Sequence, residues 1–217
     1  MTLDLSLLPR EYPRRYLPEG LTFASWNDLE PFFRELEERE LKTAAQAERW
    51  LQDLSELLSV ASEERSVRYI RMTCDTANKE YERAYLQFVE EIEPKLKPVM
   101  QSLMKRLVES PAAGVLPEDR YAVLLRSFRN RVELFREENI PLEVEEEKLS
   151  QHYQKITGAM TVTIGENELT LQQAAKYLED PDRGVRRDAW EKISERRLRD
   201  RDELDSLFDE LLSLRQR

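Results

Sequence analysis

One histidine, one cysteine, five glycines and no long apolar run: this chain is defined first by what it has little of. Each shortage closes off a class of function. His152 alone cannot supply a zinc site built on two imidazoles, and the single thiol, Cys74, does not complete the set. One cysteine also excludes an internal disulfide, which fits a reducing compartment. No stretch approaches the ~20 apolar residues that span a bilayer. Met1 to Pro9 carries Asp4, no positive n-region and only a short apolar stretch, so it does not read as a secretory signal. A soluble cytoplasmic protein is the default expectation. Cationic charge is scarce too: 34 Lys and Arg against 44 Asp and Glu give a net charge of -10. Nucleic-acid backbones and anionic membranes would be repelled, so neither is expected as a partner. The arginines between Arg183 and Arg201 are interleaved with acids and read as a solvated helix face.

What is present is helical rhythm. Its 217 residues suffice for a substantial core without staples. Residues 1–24 hold Pro9, Pro13, Pro18 and Gly20 among Tyr12, Tyr16 and Phe23, and read as an extended, Pro-rich arm packed by its aromatics. Residues 25–217 read as one helical region. Asn27 with Glu30, and Thr43 with Gln46, fit capping boxes. From Ser62, the residues Val67, Ile70, Cys74, Ala77, Tyr81, Ala84, Phe88 and Ile92 recur at threes and fours, predicting one long helix until Pro94 and Pro98 interrupt or restart it. Leu103 lies on the next stripe. Charges placed at Ile70, Tyr81 or Leu103 are therefore expected to be severely destabilising. A helix through Tyr121, Leu125 and Phe135 ends before Pro141, and another carries Leu149, Tyr153 and Ile156. Met160 to Ile164 then changes to period two; with the turn Gly165-Glu166-Asn167 and the return Glu168-Leu169 it predicts a hairpin. Thr170 with Gln173 caps the next helix, and Asp180-Pro181 reads as an N-cap followed by proline. The fold class is mainly α: a bundle of long antiparallel helices with one short hairpin.

Candidate sites are few. His152 has no ligand at metal-binding spacing, so a solvent-facing or partner-bonded imidazole is expected. Cys74, on the apolar stripe beside Asp75, reads as a buried structural cysteine rather than a nucleophile. Asp75, Thr76 and Asn78 read as polar residues inside the long helix, either an exposed face or a buried network. The clusters Glu145-Glu146-Glu147 and Glu35, Glu37, Glu38 point in diverging directions and read as solvated. The hairpin has no easy place in a helical bundle. As a projecting edge it would line a groove or accept an extended peptide by strand addition. Met160, Thr161, Val162 and Thr163 are thus the candidate substrate-binding residues, and no catalytic or metal-binding residue is assigned.

Several strings carry a resemblance. They are Thr73-Cys74-Asp75-Thr76-Ala77-Asn78, Glu133-Leu134-Phe135-Arg136-Glu137-Glu138-Asn139-Ile140-Pro141-Leu142, and Gly158-Ala159-Met160-Thr161-Val162. Further ones are Thr170-Leu171-Gln172-Gln173 and Asp182-Arg183-Gly184-Val185-Arg186 with Ala189-Trp190. In number and order they resemble the amino-terminal part of the oligoendopeptidase F family, thimet-like zinc metallopeptidases that hydrolyse short peptides. The resemblance implies a mostly helical fold and a deep channel that excludes folded proteins. It implies zinc held by two histidines of an H-E-x-x-H helix and a later glutamate. None of these ligands maps onto this sequence. What the resemblance carries over is one wall of a substrate channel, with the protein's own catalytic carboxy-terminal region, in cis or as a separate chain, as partner. Zinc is expected for that full-length enzyme, and no cofactor for this chain.

Two readings stay open: the inactive amino-terminal portion of an oligopeptidase, or a stand-alone helical protein-interaction module derived from the same fold. Leu204 to Leu214 keeps its helical rhythm to within three residues of Arg217 with no Gly, Asn or Pro stop, which leans toward the first. Either reading predicts a far-ultraviolet circular dichroism spectrum dominated by helix; a dominant strand signal would overturn the fold class.

Overall fold

The structure, a computed structural model, describes residues 14–217. Met1 to Pro13, including the prolines Pro9 and Pro13 and Tyr12 of the expected arm, lie outside the described residues. The fold is mainly α: among the described residues there are nine α-helices and one antiparallel hairpin. The described residues divide into two compact units, 14–67 with 91–137 and 68–90 with 138–217. No helix among the described residues is long and apolar enough to cross a membrane.

The first unit holds α1 (Trp26–Glu38), the first part of α2 (Ala44–Cys74), α4 (Glu93–Glu109) and α5 (Glu118–Leu134). Leu29, Phe33 and Leu36 of α1, Trp50, Leu54 and Leu57 of α2, and Leu103 and Leu107 of α4 form its core. Trp50 is wholly buried and its indole N–H donates to the Leu36 carbonyl at 2.8 Å, so no buried donor is lost. Asp53, 3% exposed, accepts from Arg39 at 2.5 Å and Arg49 at 3.1 Å. A buried carboxylate needs such cations to offset desolvation.

The segment before α1 is tied down by Glu56. Its carboxylate accepts the backbone N–H groups of Arg15, Tyr16 and Leu17 at 2.8–3.1 Å. The Tyr16 hydroxyl reaches the Phe32 carbonyl at 2.7 Å and Glu35 at 2.6 Å. Glu35 is therefore not merely solvated: it also pairs with Arg39 at 2.6 Å, which holds its carboxyl below the usual range. The start of α1 differs from expectation as well. The capping pair is Ser25 and Asp28, with the Asp28 carboxylate accepting from the backbone N–H groups of Ala24 and Ser25. The Thr43–Gln46 box is present as read.

The expected long helix is broken. α2 stops at Cys74, and α3 (Lys79–Gln87) begins after Asn78, whose side-chain oxygen accepts from the N–H groups of Glu80 and Tyr81. Asp75, Thr76 and Asn78 are thus neither a helix face nor a buried network; they make a stop and a cap. Ahead of the break α2 already turns Arg68 and Met72 inward in place of Ile70 and Cys74, so Cys74 is exposed and Ile70 is 55% exposed, and Tyr81 beyond the break is 37% exposed. The buried residues are Met72, Tyr85 and Val89. A π-helical turn, Phe88–Ile92, carries helical backbone from α3 into α4, and Pro94 lies in the first turn of α4, directly after it. Pro141 sits likewise in the first turn of α6 (Asn139–Gly158).

In the second unit α3 meets α6 largely through polar groups. Glu82, half-buried, accepts from Lys79 at 2.7 Å, Lys155 at 3.0 Å and Gln151 at 3.2 Å. Lys79 first, then Lys155, push its pKa down to about 2. The Tyr85 hydroxyl donates to Glu147, and Gln154 donates to the Tyr69 hydroxyl at 2.8 Å. Glu147 is therefore engaged, contrary to the solvated reading of its cluster. Gly158 is the position where close approach matters: a Cβ there would lie 2.8 Å from Thr76 Cγ2.

The rest of the second unit is β1 (Thr161–Ile164), β2 (Asn167–Thr170), α7 (Leu171–Ala175), α8 (Arg183–Arg199) and α9 (Arg201–Arg215). Ile156, Val162, Ile164, Leu171, Ala189, Ile193 and Leu207 share its core. Thr170 and Gln173 form the expected box. The next cap moves from Asp180 to Asp182, whose carboxylate accepts from Gly184 N–H at 2.6 Å, and Asp180 accepts from Asp182 N–H instead. Trp190, Leu198 and Phe208 are 62–64% exposed.

Leu103→Asp should cost more than about 3 kcal/mol, since it charges a fully buried site, whereas Ile70→Asp should stay within about 1 kcal/mol. Urea melts of the two variants check this. The Glu82 pair predicts a pH dependence. Its folded pKa lies below the unfolded value near 4.5, so its stabilisation is complete above pH 4.5 and is lost as pH falls toward 2. Glu82→Gln should lower the melting temperature at pH 7, and the gap from wild type should close over that window.

Candidate substrate-facing site at the hairpin

The hairpin is placed by a short chain of local rules. α6 ends at Gly158, and Met160, 4% exposed, anchors the entry to β1 in the core. β1 pairs with β2 in the register Thr161↔Thr170, Val162↔Leu169, Thr163↔Glu168 and Ile164↔Asn167. The two-residue loop has Gly165 at φ +63 and no other residue at positive φ, the II′ kind of turn that needs glycine first. Val162 and Ile164 turn inward, while Thr163 is exposed and Thr161 half-buried. Thr161 Oγ1 donates to Glu168 at 2.7 Å, tying the open end.

A groove of about 310 Å³ opens between Thr161–Thr163 and one flank of α8, where Lys192, Glu195, Arg196 and Arg199 line it. Those four fall at i, i+3, i+4 and i+7, one helical face. That spacing was present in the arginine-rich stretch and is the signal that a reading of it as uniformly solvated passes over. Lys192 pairs with Asp188 at 2.8 Å and Arg196 with Asp200. Glu195 and Arg199 have no ion-pair partner among the described residues, so the wall offers one free carboxylate and one free guanidinium. Of the four candidate residues, Thr161, Val162 and Thr163 share this groove. Met160 does not: it floors a separate hollow of about 550 Å³ with Tyr153, Leu171, Arg197 and Leu204.

Other sequence candidates fall elsewhere. His152, about half exposed, lies 3.3 Å from Glu203, its one ion-pair partner among the described residues. Among the described residues no three of His, Cys, Asp and Glu come together to hold a metal ion. Glu146 and Glu145 pair with Arg215 at 2.6 Å and Arg217 at 3.6 Å. In the first unit a larger groove of about 680 Å³ runs along Leu51, Leu54, Leu58, Leu124 and Phe128, and it is mainly apolar.

Comparison with known proteins decides the family. The Peptidase M3 N-terminal domain matches residues 21–135, more than half of the chain. The chain belongs to the peptidase M3 family. Solved structures agree in fold. An oligoendopeptidase F superposes with a TM-score of 0.78 at 25% identity, covering 91% of this M3 chain and 35% of that one. PZ peptidase A, solved with an inhibitor, gives 0.77 at 22% identity over 97% and 36%. An oligoendopeptidase F from Bacillus anthracis gives 0.78 at 20% over 91% and 37%. No curated protein matches at a significant level. The M3 chain thus spans about a third of the length of the structures it resembles. The family match stops before the hairpin, but the structural matches cover far more of the chain than residues 21–135.

Proposed function

We propose that this M3 chain is the amino-terminal, channel-forming part of a zinc-dependent oligopeptidase that hydrolyses short peptides, and that it is inactive until joined by a catalytic portion. The observation that carries this is the asymmetry of coverage: 91–97% of this chain corresponds to only 35–37% of each related peptidase. The sequence has a single histidine, so it holds no H-E-x-x-H, and His152 with Glu203 offers one nitrogen and one acid where a zinc ion takes three or four ligands. The residues present do not fit zinc, and the ion's work, polarising the scissile carbonyl and activating water, would fall to the catalytic portion. The hairpin residues Thr161, Val162 and Thr163 serve as part of the channel wall, with Met160 anchoring the strand behind them.

The test pairs this chain with an M3 catalytic portion carrying H-E-x-x-H and follows a fluorogenic short peptide, with metal content measured by mass spectrometry after gel filtration. The chain alone should neither retain stoichiometric zinc nor turn over peptide. The pair should cleave short unstructured peptides, stop with chelator, and leave folded proteins intact. One retained zinc and chelator-sensitive turnover by the chain alone would overturn the proposal. Failure of every pairing, with stable binding to an unrelated protein, would instead mark the chain as an interaction module.

A further inference from the structure

We infer that the outer edge of β1 is a peptide-pairing strand: an extended short peptide adds to it in the groove against α8. The inference rests on the reading of this chain as a channel wall and deepens it by naming the atoms that hold the peptide. The II′ turn makes Ile164 and Asn167 the closing hydrogen-bonded pair. Pairing alternates along an antiparallel ladder, so Val162 with Leu169 is the next such pair. Thr161 and Thr163 then point their N–H and C=O groups away from β2. The sheet has only two strands, and no other bond to these groups is found among the described residues. Both threonines line the groove that Lys192, Glu195, Arg196 and Arg199 border.

An unpaired edge invites another strand, and proteins commonly blunt such edges with proline, charge on the strand itself or a covering element. Residues Thr161–Ile164 contain no proline and no charge. The edge therefore keeps two donors and two acceptors at the repeat of an extended chain, and an extended peptide is the ligand that matches that repeat. Side-chain selectivity comes from the opposite wall. Lys192 and Arg196 are already neutralised by Asp188 and Asp200, which leaves Arg199 to receive a carboxylate of the peptide and Glu195 to receive a cation. With at most four backbone bonds, binding should be weak, with a dissociation constant on the order of millimolar. That suits a surface that guides short peptides and releases them.

The test uses the whole 217-residue chain, labelled with nitrogen-15, and the tetrapeptide acetyl-Ala-Val-Thr-Val with a free carboxylate. The amide signals of Thr161 and Thr163 should move on titration. Thr163→Pro removes an outward N–H while leaving the Val162 and Ile164 bonds to β2, so it should weaken binding about three- to tenfold with an unchanged melting temperature. If that variant does not fold, alternate N-methylation of the peptide backbone should weaken binding to the native chain by a similar factor. Arg199→Ala should weaken the carboxylate peptide and leave the carboxamide form unaffected. Shifts that map away from β1, or equal binding by the N-methylated peptide, would overturn the inference. Peptide hydrolysis by the chain joined to a catalytic portion is read separately. If it survives while β1 binds nothing, strand pairing alone is refuted. If the joined enzyme never cleaves peptides, the channel-wall reading is what fails.

Discussion

Glu82 sets the terms for the second unit. A carboxylate on α3 lies where solvent is mostly excluded, and it stays ionised because Lys79, Lys155 and Gln151 surround it. Two of those three come from α6. Seating α3 is therefore inseparable from fixing the rotation of α6 about its own axis, since only one face presents Glu147, Gln151, Gln154 and Lys155 together. Gly158 closes that arrangement by letting α6 end against Thr76. The direction in which the chain enters β1 follows from where α6 ends. A polar contact of this kind adds little net stability over an apolar one, but it tolerates few alternative registers.

The same contact explains what could and could not be read from the sequence. Helices with strong apolar periodicity, such as α1 and α4, were legible because packing of Leu29, Phe33, Leu103 and Leu107 follows the 3.6-residue period. The hairpin was legible because its period differs and its glycine sits at the one position that requires positive φ. The break after Cys74 was not. A stripe that passes smoothly from Ile70 to Tyr81 is the same string whether or not the helix stops between them, and the Asn78 cap was its only local sign. Where α3 and α6 meet through Glu82, Tyr85 and Gln151, hydrophobic spacing carries little information about which residues are inside. Cys74 and Ile70 lie outside because this part of α2 buries Arg68 and Met72 instead.

At the candidate site the balance was similar. The strand was visible in the sequence; the wall opposite it was not, because Lys192, Glu195, Arg196 and Arg199 are separated from β1 by more than twenty residues and acquire meaning only when α8 packs on Val162 and Ile164. The caps at Ser25 and Asp182 slipped by two residues from their expected places for a common reason. Several Asp, Asn and Ser residues cluster at each start, and the backbone conformation, not composition, selects the one that caps.

The placement of the three tryptophans has a spectroscopic consequence. Trp26 and Trp50 are buried in the first unit, and Trp190 in the second already stands mostly in water. Intrinsic emission will therefore shift red when the first unit unfolds and barely change wavelength when the second does. A denaturation curve taken from emission maximum alone describes half of the molecule, and a disagreement with the helical signal would measure how independently the two units come apart.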